Sequence, residues 1–296
     1  MKQNPELNIL GFENPYEDSN IVVFGAPFDG TVSYRPGSRF GPSAIRNESY
    51  GIETYSPYQN ADLMDIKGSD AGDLPLPFGN TVSALNMIRD FCRDLVHENK
   101  IPIMLGGEHL VTLPAVEAVL EKYPDLCIIH LDAHTDLRDD YLGIKLSHAT
   151  VMRRIWEKVG DKRIWQFGIR SGEKYEFEWA RDHTFLTPFN LDGIEKALEI
   201  IGKRPVYLTI DMDVLDPSVF PGTGTPEHGG VSFKELLEFI VKLRGTFIVG
   251  ADLVELAPHY DASGISTAAA CKLLREVALA VTARDQYVVQ KINTNS

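Results

Sequence analysis

Cysteine is scarce in this chain. There are three in 296 residues, Cys92, Cys127 and Cys271, an odd number, widely spaced and set among apolar neighbours. That suits buried thiols in a reducing cytosol better than a disulfide framework or a thiolate metal site. Long apolar runs are absent too, since none approaches the roughly 18 residues needed to cross a bilayer. The opening stretch MKQNPELNILGFENPYEDSN is polar and acidic, without the apolar core of a secretory signal. Basic residues are in deficit, 29 Lys and Arg against 42 Asp and Glu, a net charge of −13. A surface so acidic repels phosphate backbones, which argues against nucleic acid as a partner and favours small cations. Repeats, low-complexity tracts and charged tails are also missing, and the Gly/Pro-rich stretches at 35–42, 71–80 and 221–230 are too short to be tethers. A single domain over residues 1–296 is expected, cytoplasmic and away from membranes.

What is present is an alternation. Short, near-continuous apolar runs read as strands buried on both faces: 21–27, 62–66, 101–105, 126–132, 163–169, 183–187, 206–211 and 247–253. Amphipathic stretches lie between them. In 81–98, Leu85, Ile88, Phe91, Cys92, Leu95 and Val96 recur at helical spacing. Ser232 and Glu235 form a capping box opening a helix through 244, and the alanine-rich 266–284 is the last long helix. The pattern predicts an α/β class fold, three layers α/β/α around a parallel sheet of about eight strands. A closed eightfold barrel is the alternative that strand count leaves open.

In such sheets, functional groups gather beyond the carboxyl ends of the strands. Three predicted ends carry polar clusters: Gly106-Gly107-Glu108-His109, then Asp132-Ala133-His134-Thr135-Asp136, then Asp211-Met212-Asp213 with Asp216 close behind. A buried carboxylate without a partner is strongly disfavoured, and no Lys or Arg lies within the Asp211–Asp216 segment. Several carboxylates with two imidazoles are a ligand set for hard divalent ions. Asp211 and Asp213 would project to one side of an extended chain, about 7 Å apart. That suits ligands of two ions roughly 3.5–4 Å from each other. Asp132 and Asp136 would be about 13 Å apart if the strand continued, so the chain is expected to curl after Asp132. A lone Asp-X-Asp is more often a surface acid or strand-end cap. Three clusters at three strand ends predict a dinuclear metal centre.

These stretches resemble the ureohydrolase family of arginases, agmatinases and their relatives, from SYRPGSRFGPSAIR (33–46) through DAGDLPLPFGN, GGEH, DAHTD and SHAT to TIDMDVLDPSVFPGTGTPEHGG and GADLVELAP (250–258). The resemblance implies a parallel eight-stranded sheet and two Mn²⁺ ions per subunit. It assigns His109, Asp132, Asp136 and Asp211 to one ion and His134, Asp132, Asp211 and Asp213 to the other. It gives His148 the proton shuttle, Asp136 a relay role and Glu255 the substrate guanidinium, and it implies a homo-oligomer, trimer or hexamer. Replacing His148 is then expected to cut turnover while sparing metal content.

Within the family, arginases carry an asparagine two positions after DAHTD, where this chain has Arg138. That departure counts against arginine, and the PGTGTPE and SYRPGSRFGP segments look more like agmatinases. The expected reaction is therefore hydrolysis of agmatine to putrescine and urea by a metal-bridging hydroxide. Arg138 is expected to turn outward, leaving Asp139 or Asp140 at the pocket mouth for the second cation of agmatine. If Arg138 instead points inward, it favours a carboxylate, as in 4-guanidinobutyrate. The alternatives are another ureohydrolase, guanidinobutyrase or arginase, and a catalytically silent metal-binding relative. His97 and His183 read as solvated, His130 as packed within the sheet, and His228 and His259 as candidates for the pocket entrance.

Overall fold

The strands of this chain alternate their buried side chains between two helical layers, and the alternation shows along β1 (Ile21–Ala26). Ile21 and Val23 join one apolar cluster, Val22 and Phe24 the other, as a side-chain period of two requires. The computed structural model describes residues 8–283, so residues 1–7 of the acidic opening stretch and Arg284 of the expected last helix lie outside the described residues.

After β1 come β2 (Tyr55–Ser56) and β3 (Ala61–Asp62), a small antiparallel pair. The main sheet is completed by β4 (Gly68–Asp73), β5 (Ile101–Gly106), β6 (Cys127–Leu131), β7 (Ile164–Ile169), β8 (Phe185–Pro188), β9 (Val206–Asp211) and β10 (Ile248–Val254). It has eight strands in the order β4-β1-β5-β10-β9-β6-β7-β8, every pairing parallel. With β4 and β8 at its two edges, the sheet is open and the barrel alternative falls.

Helices α1 (Gly41–Glu48), α6 (Ile194–Ile201), α7 (Phe233–Lys242) and α8 (Ile265–Thr282) pack one face. Helices α2 (Thr81–His97), α3 (Thr112–Lys122), α4 (Val151–Val159) and α5 (Lys174–His183) pack the other. Ser232 caps α7 and Glu235 returns the bond, the capping box read from the sequence. Among the described residues, no helix is long and apolar enough to cross a membrane.

One strand was misplaced by its composition. Residues 62–66 contribute only Asp62 to a strand and then enter a 3₁₀ turn, Leu63–Asp65. Leu63 and Ile66 are apolar because they pack into the core alongside α8. The edge strand is β4, Gly-Ser-Asp-Ala-Gly-Asp, with almost nothing apolar in it.

Candidate metal centre

The four central strands, β5, β10, β9 and β6, lie side by side and end at one edge of the sheet. Each delivers polar residues there. Past β5 the chain runs Gly107-Glu108 into a 3₁₀ turn that begins at His109. A Cβ on Gly107 would sit 1.8 Å from the Phe28 carbonyl oxygen, so the motif requires glycine there. Glu255 follows β10 and accepts the His109 N–H at 2.8 Å.

Asp132 follows β6, and the chain turns at once. Asp132 Oδ1 accepts the His134 N–H at 2.6 Å, and Asp136 adopts a left-handed backbone with φ of +52°. Glu255 shares that strained conformation at φ +64°. Non-glycine residues held there cluster at functional sites. The curl brings Asp132, His134 and Asp136 back to one place. Asp211 ends β9, but Asp213 does not continue it as an extended residue. It lies in a 3₁₀ turn whose N–H is accepted by Asp211 Oδ1 at 2.9 Å. The expected two-residue extended spacing is therefore replaced by a tighter turn, because the side chain of Asp211 caps it.

The six side chains converge. His109 Nδ1 lies 3.1 Å from Asp132 Oδ2, 3.2 Å from Asp136 Oδ2 and 3.3 Å from Asp211 Oδ2. His134 Nδ1 lies 3.4 Å from Asp132 Oδ1 and 3.1 Å from Asp213 Oδ2. Asp132 is wholly buried and Asp213, Asp211 and His109 nearly so. Among the described residues, the ion-pair partners of these four aspartates are all histidines.

The strain of this packing shows in protonation. Burial, then the charge of Asp132, pushes Asp136 up to about 7. Burial, then Asp213 and Asp132, raises Asp211 well above the carboxylate range. Burial also works against a charged Asp132, yet the imidazoles of His109, His130 and His134 outweigh it and hold that carboxyl well below its usual range. A cation shared among the carboxylates is what such a group calls for.

His109 points to where it would sit. Its Nδ1 is buried and makes no hydrogen bond, although three carboxylate oxygens surround it. Its Nε2 faces Thr209 Oγ1 at 2.9 Å, whose hydroxyl donates to Asp252 Oδ1 at 2.6 Å. The ring proton is therefore on Nε2, and the Nδ1 lone pair is aimed into the gap between the acids. Donor atoms 3.1–3.3 Å apart match the edge of an octahedron of ligands about 2.2–2.3 Å from one hard divalent ion. Two overlapping sets, His109/His130/Asp132 and Asp132/His134/Asp213, have ligand atoms close enough to hold an ion.

Over these residues opens a cleft of about 310 Å³, lined by His109, His134, Asp136, Asp211 and Glu255 and, further out, by His148, Arg138 and Glu173. His148 faces Ser33 Oγ through Nε2 and Ser147 Oγ through Nδ1, both at 3.2 Å, and burial pushes its pKa down to about 4. Glu255 is buried, and burial with Glu108 nearby raises its pKa well above normal.

Arg138 does not turn outward. It lines the cleft, its Nη2 3.4 Å from Glu173 Oε1 and its Nε 3.7 Å from Glu176 Oε2, with Tyr141 against its guanidinium. Two carboxylates on α5 and its N-cap draw it in. Asp139 and Asp140 are not among the residues lining the cleft. Asp139 pairs with Arg154 at 2.8 Å, and Asp140 accepts the Gly143 N–H in the neighbouring turn.

His228 and His259 are exposed and away from this cleft, and Asp216 anchors its own loop through the amides of Ser218, Gly229 and Gly230. His97 is exposed, whereas His183 is half-buried, stacked on Trp179 and bonded to Asp161. Thr209, Asp252, Gln166 and Glu173 escaped the sequence reading. The first three had a signal, a polar residue in the middle of an apolar strand.

The sequence model of the arginase family matches residues 19–280. An agmatinase from Bacillus cereus is 51% identical over 269 residues, covering 89% of this chain and 92% of that protein. A guanidinobutyrase from Pseudomonas aeruginosa is 34% identical over 272 residues, covering 87% and 85%. The crystal structure of the agmatine ureohydrolase of Thermoplasma volcanium superimposes with a TM-score of 0.86 at 35% identity, covering 96% of each chain.

Proposed function

The chain belongs to the arginase family and is an amidino-group hydrolase, and from that premise we propose that it hydrolyses agmatine to putrescine and urea at a pair of manganese ions. His109, Asp132, Asp136 and Asp211 would hold one ion, and His134, Asp132, Asp211 and Asp213 the other. The observation that carries the reading is the unbonded Nδ1 of His109 facing three carboxylates that, among the described residues, pair with no Lys or Arg, at the floor of an acidic cleft.

A guanidinium carbon is a poor electrophile, because its positive charge is spread over three nitrogens. Bound in this site, two divalent ions would supply Lewis acidity and a water acidified from a pKa of about 15.7 towards 7. The chain's own residues do the rest. Four aspartates balance two divalent cations, and Glu255, whose raised pKa would fall with cations beside it, adds a negative charge that receives the guanidinium and would repel a phosphate. Its backbone strain and its bond to the His109 amide hold the carboxylate in place before substrate arrives. The departing amine must gain a proton. Asp136 faces the reacting end of the cleft, and His148, neutral at pH 7 and half-buried near the mouth, exchanges protons with solvent.

Agmatine is favoured by the extent of the likeness to agmatinases. Within the cleft, Glu173, whose side chain is 57% exposed, offers a carboxylate to the second cation. A specific observation favours a second reading: Arg138 lines the cleft and would welcome the carboxylate of 4-guanidinobutyrate. Its charge is set against both Glu173 and Glu176, however, so that wall of the cleft stays acidic.

Urea release from agmatine, 4-guanidinobutyrate and arginine under Mn²⁺ separates the readings. Agmatine should be turned over fastest, and an absence of urea from agmatine overturns the choice. A homo-oligomer, trimer or hexamer, and a cytoplasmic setting belong to the same proposal, checked by sedimentation and by fractionation of cells.

A further inference from the structure

His130 stands two residues before Asp132 on β6 and therefore projects to the same side of the chain. It is wholly buried, and its Nε2 lies 2.8 Å from Asp132 Oδ2. Its other nitrogen, Nδ1, lies 3.1 Å from the amide nitrogen of Gln166, the residue paired with it across the sheet on β7. Gln166 is also wholly buried.

The direction of every proton in this row follows from one unambiguous acceptor. Gln166 Nε2 is 2.9 Å from the Thr135 carbonyl oxygen, which can only accept. The amide nitrogen must therefore face Thr135, and the amide oxygen faces Thr184 Oγ1 at 3.1 Å. That same NH₂ group faces His130 Nδ1, so Nδ1 accepts and the ring proton is on Nε2. His130 then donates to Asp132 Oδ2 and has no lone pair left to offer. It is close enough to Asp132 and His109 to be mistaken for a ligand, yet it turns the opposite edge of the ring to the acids: both histidines carry the proton on Nε2, but His109 presents its bare Nδ1 and His130 its Nε2–H.

We propose that His130, set by Gln166, is a positioning residue for the metal centre: its Nε2–H holds the carboxylate of Asp132 in the orientation that lets one group serve both ions. The inference rests on the dinuclear reading given above. Asp132 Oδ1 is fixed by the His134 amide and Oδ2 by His130, so the plane of the carboxylate is defined from both ends. Without the second bond, the side chain can rotate away from neighbouring acids that repel it, and its ordering must be supplied by the ions themselves. Partners of this kind typically change metal affinity by about 10–100-fold.

Manganese binding to metal-free protein, measured by competition with a fluorescent chelator, tests this without reference to turnover. His130→Phe fills the space but cannot donate, and it should weaken binding of at least one ion by about 10–100-fold. His130→Gln places an amide N–H at the reach of Nε2 and should stay within about threefold of wild type. Gln166→Glu is nearly isosteric but presents only acceptors to Nδ1. It forces the ring either to turn its lone pair on Asp132 or to become a cation beside the ions, and it should weaken binding as His130→Phe does. Circular dichroism of each metal-free variant reports folding. If His130→Phe fails to fold, the contrast between His130→Gln and Gln166→Glu decides. Wild-type affinity for both ions in His130→Phe or Gln166→Glu overturns the inference, as does a His130→Gln variant as weak as His130→Phe. A wild-type protein that binds no divalent ion overturns the metal reading, and this inference with it.

Discussion

Two groups of acids crowd together on the same sheet, one at its edge and one at its centre, and they differ in what faces them. At the edge, Asp70 and Asp73 of β4 meet Arg46 of α1. Its Nε and Nη2 reach the two oxygens of Asp70 at 2.7 and 2.9 Å, and its Nη1 reaches Asp73. Asp70 and Arg46 are both buried, and Asp73 is partly open to solvent. At the centre, Asp132, Asp136, Asp211 and Asp213 are buried, and among the described residues their ion-pair partners are imidazoles alone. Where the chain supplies a guanidinium, an acid pair ties a helix to a strand. Where it supplies none for four carboxylates, the structure is arranged around a cation from outside.

The sharpest test changes one residue in each group. Asp211→Asn should lower urea release by more than about a thousandfold, because a carboxylate proposed to serve both ions is lost, and with it the water they would acidify. Its metal content should fall, while its metal-free form unfolds no more easily than wild type, because burial and the charges of Asp213 and Asp132 disfavour the ionised Asp211. Elemental analysis and urea unfolding read both effects. Arg46→Met should do the reverse. It leaves a buried carboxylate unpaired and should cost about 3–5 kcal/mol in denaturant unfolding, with metal content per folded molecule unchanged. An Arg46→Met protein that folds normally but loses its ions would break the comparison. Chelation has a smaller expected effect per site. At free ion a hundred times the dissociation constant, removing each ion should lower stability by about 2.7 kcal/mol. That shift should persist in Arg46→Met and vanish in Asp211→Asn.

The same contrast governs what could be read in advance. The central strands are legible because uninterrupted apolar runs such as Cys127–Leu131 and Val206–Asp211 can only be buried on both faces. The converging acids and imidazoles, proposed above as metal ligands, are legible because they interrupt those runs at their ends. The edge strand was not legible. Gly68–Asp73 gains its place from backbone pairing with β1 and from Arg46, neither of which leaves an apolar trace. Side-chain direction in loops was hidden for a related reason. Arg138 is drawn inward by Glu173 and Glu176, some 35 residues away or more, so no local pattern could reveal it. The left-handed backbone of Glu255 depends on a neighbouring strand in the same way, its N–H bonding the Gly107 carbonyl just past β5.

A third kind of acid sharpens the comparison at the smallest scale. Asp261, buried at the start of α8, faces neither a guanidinium nor the central cluster. Its Oδ2 accepts the Ser266 N–H at 2.7 Å, and its Oδ1 accepts the Ser263 N–H at 3.0 Å and the Ser263 hydroxyl at 2.5 Å. Burial opposes the charged form, but these donors outweigh it and bring the pKa down to about 2. An unfolded aspartate titrates near 3.9, so the folded state binds the proton less readily than the unfolded one. The stability this carboxylate contributes is therefore complete above about pH 4 and is lost as pH falls towards 2. Asp261→Asn should cost about 1 kcal/mol at pH 7, the usual scale for removing a helix-start acceptor. In urea unfolding of metal-free protein, the gap between the variant and wild type should narrow between pH 6 and pH 3. A gap that stays constant over that range would mean that Asp261 acts through shape, leaving charge-sensitive acids on this sheet to those that face a cation.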